Sequence, residues 1–546
     1  MDAIEFGSFG SFGIGSEITT HSDVYSDKLD LFSIAPTEKQ MLYFRESRVF
    51  PMAGVNNVGP FSFQIPAMSS YFLDAGSIKV EGEIAIYERS TDGTEKKIDE
   101  GAKLIPVNML PGESSFQKVL QRSIKRGARF QRPDGARRWN SRNQGPTFQS
   151  IHVHLFYIHW QFHFCCFSVA LWNNIEVSIN GLMVSFVSSP IANYKAYLET
   201  ILSYNELAAK THLIGSRFLM DEAGDFSKTA AKTGGNQEKR MKWFEKSNSV
   251  DFSFPLASDI LRIDKYLMDR VALDIKLSRV SDEFLIVQDK TDTKNYFIKI
   301  EKLSLVVRHI GLDPQFVEYV NKQLDQGKRA RYPLMRTVLK SRIIQKGESY
   351  TPIVDIFSGR LPSSIYFGFV KNSAFKGNKN ENPFDFQHFD IGSISLLVNS
   401  RTYPSTRYTP KFTDDVNTSK IMREYMGLMQ NIGASGNNEA PLVTLENFHS
   451  GCTIFGFDLS PDNCGNYHVH GDERGTMNIE LQWSTPTTEP LSLIVYGVFH
   501  DEMQLDLDRI GKSCLSIPPH VYVHVFLFQH IQQVVYKGKN GFRRCH

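Results

Sequence analysis

Six cysteines among 546 residues are too few and too scattered for a disulfide framework. The opening residues, MDAIEFGSFG, lack the basic stretch and apolar core of a secretory leader. Folding in the cytosol or nucleus is therefore expected. The most apolar run, 151–167, is only 17 residues long and carries four histidines, too short and too polar to span a bilayer. No GxSxG, HExxH, Walker A or CxxC pattern occurs, which removes the common signatures of hydrolases, zinc peptidases and nucleotide-binding enzymes. Helical periodicity is also scarce, which argues against an α/β enzyme.

Short runs of alternating apolar and polar residues, cut by Gly, Pro, Asn and Asp, take the place of helices. In the last third these are 382–401, GCTIFGFDLSPD (451–462), GTMNIELQWSTP (475–486) and LSLIVYGVFHDEMQLDLDR (491–509), with one short helical pattern near 418–430. Earlier come RVFPMA, FSFQIPA, SIKVEGEIAIYER and KLIPVNML between 45 and 110, and then VDFSFPL, RVALDIKLSRV and YFIKIEKLSLVVRHI up to 310. Forty Phe and 21 Tyr suit strands, where aromatic rings pack on a pleated surface. WNNIEVSINGLMV (172–184) predicts a hairpin with Asn180-Gly181 in a type I′ turn. Residues 191–209 predict a short helix in a loop between strands, and the polar stretch 216–247 a surface excursion. Asp313-Pro314 predicts a helix start, Phe316, Val317, Val320 and Leu324 its apolar face, and Gly327 its stop. Many short strands on both sides of one capped helix point to two sandwiches or jelly rolls. The two halves show no repeat that aligns.

The ordered series LDLFSIAPTE (29–38), WNNIEVSINGLMV (172–184), PIANYKAYLETILSY (190–204), PLASDILRIDKYLMD (255–269) and NPFDFQHFD (382–390), followed by the strands to 509, resembles the double jelly-roll major capsid proteins of Polinton/Maverick elements and adintoviruses. The resemblance covers roughly 29–110 and 170–510. It implies an all-β chain of two tandem jelly-roll sandwiches with a short connecting helix. The expected organisation is a flexible arm at 1–44, a first jelly roll at 45–312, helix and linker at 313–332, a second jelly roll at 333–510 and a tail at 511–546. It further implies a homotrimer acting as a pseudo-hexameric capsomer, touching neighbouring capsomers and a penton or minor capsid protein. The implied location is the virion capsid, after synthesis in the host cytoplasm, with nuclear assembly left open. Long loops at 205–247 and 402–446 would form towers or contacts between capsomers. No catalytic, cofactor-binding or metal residue and no small-molecule substrate is implied. The alternatives are a cellular jelly-roll binding module, a cupin-type enzyme, or a decayed copy of a capsid gene.

Charge is unevenly placed. Residues 111–167 hold nine Lys/Arg against two acids, and 511–546 hold five Lys/Arg and none, so the remainder carries −10 within a net +2. An acidic bulk does not support general nucleic-acid binding. These two segments also hold half of the 16 histidines and four of the six cysteines. Splicing near Leu110 to Leu171 restores the family pattern, so 111–169 and 511–546 read as translated non-coding or frame-shifted sequence. The rival reading is a genuine insertion in which 118–142 is a basic arm on DNA.

The remaining chemistry is thin. Gly7, Gly10, Gly13 and Gly15 are spaced like a phosphate loop, but with no strand before or helix after them. His152 with His154, and His468 with His470 and Asp472, have strand-like spacing for a metal but lack further ligands. Asp221, Glu222 and Asp225 could hold calcium, although a surface turn is the simpler reading. Cys452 and Cys464 are expected as buried or free thiols. Phe384, Phe386 and Phe389 are expected in the core.

Overall fold

A computed structural model describes residues 39–55, 59–90, 92–98, 104–106, 170–185, 191–229, 234–434, 440–461, 471, 473–509 and 511–513. The basic stretch 118–142, the histidine pairs at 152/154 and 468/470, Asp472, Cys464 and the four amino-terminal glycines lie outside them.

Eight strands of the first half make two antiparallel sheets. In chain order they are β1 (Met41–Val49), β2 (Phe61–Ile65), β3 (Tyr71–Arg89), β6 (Trp172–Ile179), β7 (Leu182–Met183), β8 (Val250–Pro255), β9 (Leu273–Arg279) and β11 (Tyr296–Leu312). One sheet runs β1-β11-β3-β8 and the other β2-β9-β6-β7. Three short strands are accessories. β4 (Glu95–Lys97) extends the β3 edge, and β5 (Leu104–Pro106) pairs with β10 (Ile286–Gln288). Alternation builds the sandwich: β8, VDFSFP, buries Val250, Phe252 and Phe254 and exposes the residues between.

The second half repeats the plan with β12 (Ala330–Ile344), β13 (Tyr350–Arg360), β14 (Ser364–Lys371), β15 (Ile391–Val398), β16 (Arg401–Tyr408), β17 (Ile454–Asp458), β18 (Arg474–Trp483) and β19 (Leu491–Leu505). Its sheets run β12-β19-β14-β17 and β13-β18-β15-β16. Counting the eight principal strands of each half in order, both halves read 1-8-3-6 and 2-7-4-5. The internal repeat that the sequence does not display is therefore present in the strand order. A further strand, β20 (Gly511–Ser513), pairs with the end of β19. The first three residues of the tail that reads as frame-shifted sequence thus join a sheet edge, and the rest of that tail lies outside the described residues.

The helix between the halves runs Pro314–Asp325. The Asp313 carboxylate accepts a hydrogen bond from the Gln315 amide at 2.8 Å, and Pro314 occupies the first turn, where a missing N–H costs nothing. Phe316, Val317 and Val320 pack on the core and Leu324 is buried, as the spacing predicts. The hairpin also forms as expected. Asn180 and Gly181 both have positive φ, 47° and 80°, and Ile179 pairs with Leu182.

Helix α1 (Ala192–Ser203) forms in the connection between β7 and β8 as expected, and every residue from Ala192 to Leu202 is buried. Its Lys195 and Glu199 meet partners from other segments. One expectation is corrected: the polar stretch 216–247 is not a surface excursion throughout, because Phe218, Asp221, Asp225, Phe226, Gln237, Arg240 and Phe244 are buried in it.

Candidate assembly surfaces and the seam between the sandwiches

Helix α1 lies where the two sandwiches meet. The Tyr194 hydroxyl donates to the Pro383 carbonyl at 2.9 Å, and the Tyr197 ring stacks on Phe384 at 4.3 Å. Phe384 and Phe386 are buried, while Phe389 is only partly so. NPFDF thus supplies the second sandwich's half of an aromatic joint. Aromatic pairs in such offset or edge geometry add about 0.5–1.5 kcal/mol each beyond their buried area.

Buried charges cross the same seam. Lys195 pairs with Asp259, whose Oδ2 accepts from the Thr337 amide of β12 at 2.9 Å. Burial pushes the Asp259 carboxyl up, but Lys195 and Arg262 outweigh it and hold it below the usual range. Glu199 is bound by Arg262 and accepts from the Tyr496 hydroxyl at 3.3 Å. Further along, Arg509 Nη2 donates to Asp269 Oδ1 at 2.9 Å, and the Met268 amide donates to the Tyr332 hydroxyl at 3.3 Å. A crevice at the seam is lined by Lys195, Asp259, Arg336 and Thr337. Its two cations are already neutralised, Lys195 by Asp259 and Arg336 by Asp501 at 2.6 Å. Buried ion pairs of this kind add little net stability, but they enforce one relative placement of the parts that carry them.

The proposed calcium acids have another role. Asp221 pairs with buried Arg240 and accepts from Asn382 Nδ2 at 3.2 Å, and Asp225 pairs with Lys228 at 2.6 Å. Asp221 thus ties its segment to NPFDF, whereas exposed Glu222 and buried Asp225 stand at a turn in which the Asp225 amide donates to the Glu222 carbonyl at 3.0 Å. No cluster of three or more metal-binding side chains occurs among the described residues. Beside this ion pair stands Asp385, buried, with Oδ2 accepting from Gln387 at 2.6 Å and Oδ1 lacking a hydrogen bond. Burial pushes its carboxyl up to about 7, with Asp221 and Glu381 adding to the rise and Gln387 and Lys371 opposing it. Cys452 is a buried free thiol 3.5 Å from the Tyr197 hydroxyl, and burial pushes its pKa far above the ordinary range. This fits the expectation of a buried thiol.

Large apolar side chains remain exposed on particular elements. In β1, Met41, Leu42, Tyr43 and Phe44 are 43–64% exposed. In α2 (Pro314–Asp325) Tyr319 is exposed, and in α3 (Met422–Asn431) Met422 and Met426 are about half exposed. Among the described residues strand β1 is also a sheet edge, with β11 as its one neighbour, and it carries these apolar side chains at that edge.

No protein-family model matches the sequence. An uncharacterized protein of Caenorhabditis elegans is 22% identical over 341 residues, covering 62% of this chain and 78% of that protein. A chain from the 3.5 Å cryo-EM structure of the Sputnik virophage superposes with a TM-score of 0.51 at 10% identity, over 92% of this chain and 94% of that one. The fold is a double jelly roll. The mavirus major capsid protein superposes with a TM-score of 0.47 at 11% identity, covering 93% of this chain and 97% of that one.

Within this double jelly roll the sequence placed Phe384 and Phe386 in the core and Cys452 as a buried thiol, but not the joint that the two rings make with α1. It missed the pairing of Asp221 with Arg240, of Lys195 with Asp259 and of Asp269 with Arg509. Charged residues spaced tens to hundreds of positions apart leave no local trace. The one available signal was the acids and lysines inside 190–204 and 255–269, which are too apolar in their surroundings to be ordinary solvated charges.

Proposed function

We propose that this double jelly roll is the structural major capsid protein of a Polinton/Maverick-type element, assembling as a pseudo-hexameric homotrimer that tiles an icosahedral shell. The observation that carries the reading is the identical strand order in two sandwiches fixed together by a buried seam. One such chain offers two like bodies in a set relation, and three chains about a threefold axis offer six. The ordered sequence resemblance supports the family, and the fold shared with a Sputnik virophage chain supports the architecture. The first jelly roll is assigned to 41–312, the helix and linker to 313–329 and the second jelly roll to 330–513, so that β1, β12 and β20 fall whole within them. The partners are neighbouring capsomers and a penton or minor capsid protein, and the location is the virion shell, after synthesis in the host cytoplasm.

Light scattering on the full chain after gel filtration tests this. A mass of three chains at micromolar concentration is expected. A well-folded monomer at high concentration removes the reading.

A further inference from the structure

The two jelly rolls occupy equivalent places in the strand order, yet equivalent elements are covered unequally. In the second, the first strand is β12, where the consecutive residues Arg336 and Thr337 are both buried. Consecutive strand residues point to opposite faces, so β12 is covered on both. The cover comes from the first jelly roll: Asp259 binds Thr337, Lys265 Nζ donates to the Arg331 carbonyl at 2.9 Å, and Met268 reaches Tyr332. In the first jelly roll the corresponding strand is β1, and not one of its nine residues is buried.

The other side of the joint shows the same imbalance. Helix α1, between the fifth and sixth strands of the first jelly roll, is buried along its length, packed on β6 and, through Tyr194, Tyr197 and Glu199, on the second jelly roll. Helix α3 occupies the same interval of the second jelly roll, between β16 and β17. It buries Glu424, Leu428, Met429 and Asn431, and leaves Met422 and Met426 exposed.

From this we infer that a second copy of the chain completes the pattern: the α3 side of one copy's second jelly roll docks on β1 of the next copy's first. The inference rests on the trimer reading above and adds the surfaces to it. Inside the chain, the α1 side of the first jelly roll already meets the first strand of the second. A ring of six like bodies closes only if that joint recurs between chains, with α3 in the role of α1 and β1 in the role of β12. The contact is head-to-tail, because α3 and β1 are different surfaces. Both are supplied with what such a joint needs: Met41, Leu42, Tyr43 and Phe44 on one side, Met422 and Met426 on the other. Apolar side chains at the centre are a feature of a permanent subunit contact, and a strand at a sheet edge among the described residues is a template for a second chain.

The test uses the full chain and light scattering. Leu42→Glu and Met426→Lys should each convert a trimer into a 62.2 kDa monomer with an unchanged far-UV spectrum and a cooperative melting transition. The double variant, with opposite charges on the two surfaces, should recover the trimer. Leu182→Glu, on the exposed β7, should leave the trimer intact. Hydrogen exchange on the unsubstituted chain reads the same surface without a mutation. The β1 amides should exchange more slowly in the trimer than in chain diluted to monomer. A trimer that survives both single substitutions, a double variant no better than its parents, or equal exchange rates overturns the placement. A monomeric parent chain overturns the trimer reading itself.

Discussion

Asp385 gives the sharpest test of the seam. Its carboxyl is 7% exposed, one oxygen has no hydrogen-bond partner, and its pKa is pushed up to about 7 by burial. An unfolded aspartate titrates near pH 3.9. The folded state therefore binds the proton more tightly than the unfolded state does. Stability from this group is fully present below about pH 4, falls as the pH rises through the folded pKa, and is flat above it. A separation of about three pKa units amounts to about 4 kcal/mol lost by pH 8. Asp385→Asn keeps the shape and removes the charge. An amide nitrogen left without a partner returns about 1–3 kcal/mol of the gain. The variant should thus exceed the parent by about 1–3 kcal/mol at pH 8 and fall level with it or below it at pH 5. Scanning calorimetry of the full chain at both pH values reads the difference. An Asn variant whose melting temperature shows the same pH slope as the parent refutes the reasoning, because the buried carboxyl would then not be the group that titrates.

Other outcomes follow from the same geometry. Arg240→Met leaves buried Asp221 without its cation and should destabilise by about 3–5 kcal/mol in urea titration, whereas replacing both partners by apolar residues should cost far less. Gly181→Val forces a β-branched residue to φ 80° in the hairpin turn and should cost about 1–3 kcal/mol, although nothing stands within 4 Å of the new side chain. Gly451, at φ 111°, lies under the Phe226 ring, which approaches an added Cβ to 2.1 Å, so Gly451→Ala should loosen the seam and raise proteolysis near 226. Cys452 should resist thiol reagents at pH 8 until the chain unfolds, as peptide mass mapping would show, because the thiolate is the reactive form and burial suppresses it.

Local features of this protein were decided by its sequence alone. Period-2 alternation places most of the strands, Asn180-Gly181 places the hairpin, and Asp313-Pro314 with Gly327 bounds the linking helix. Each is a matter of neighbours within a few residues, where side-chain direction and φ preference act directly. The ordered family motifs likewise carried the fold class. Tertiary structure decided the rest. The repeat of strand order 1-8-3-6 and 2-7-4-5 is a property of which strands pair, and pairing partners such as β12 and β19 are more than 140 residues apart in the chain. The sequence predicts helix α1, but that it is buried along its whole length depends on partners from distant segments. The segment 216–247 is polar in composition, yet Asp221, Asp225, Gln237 and Arg240 within it are buried. Its acids and arginine are compensated by partners that only the folded chain brings within hydrogen-bonding distance, and an ionised group enters an interior when such a partner is there to receive it.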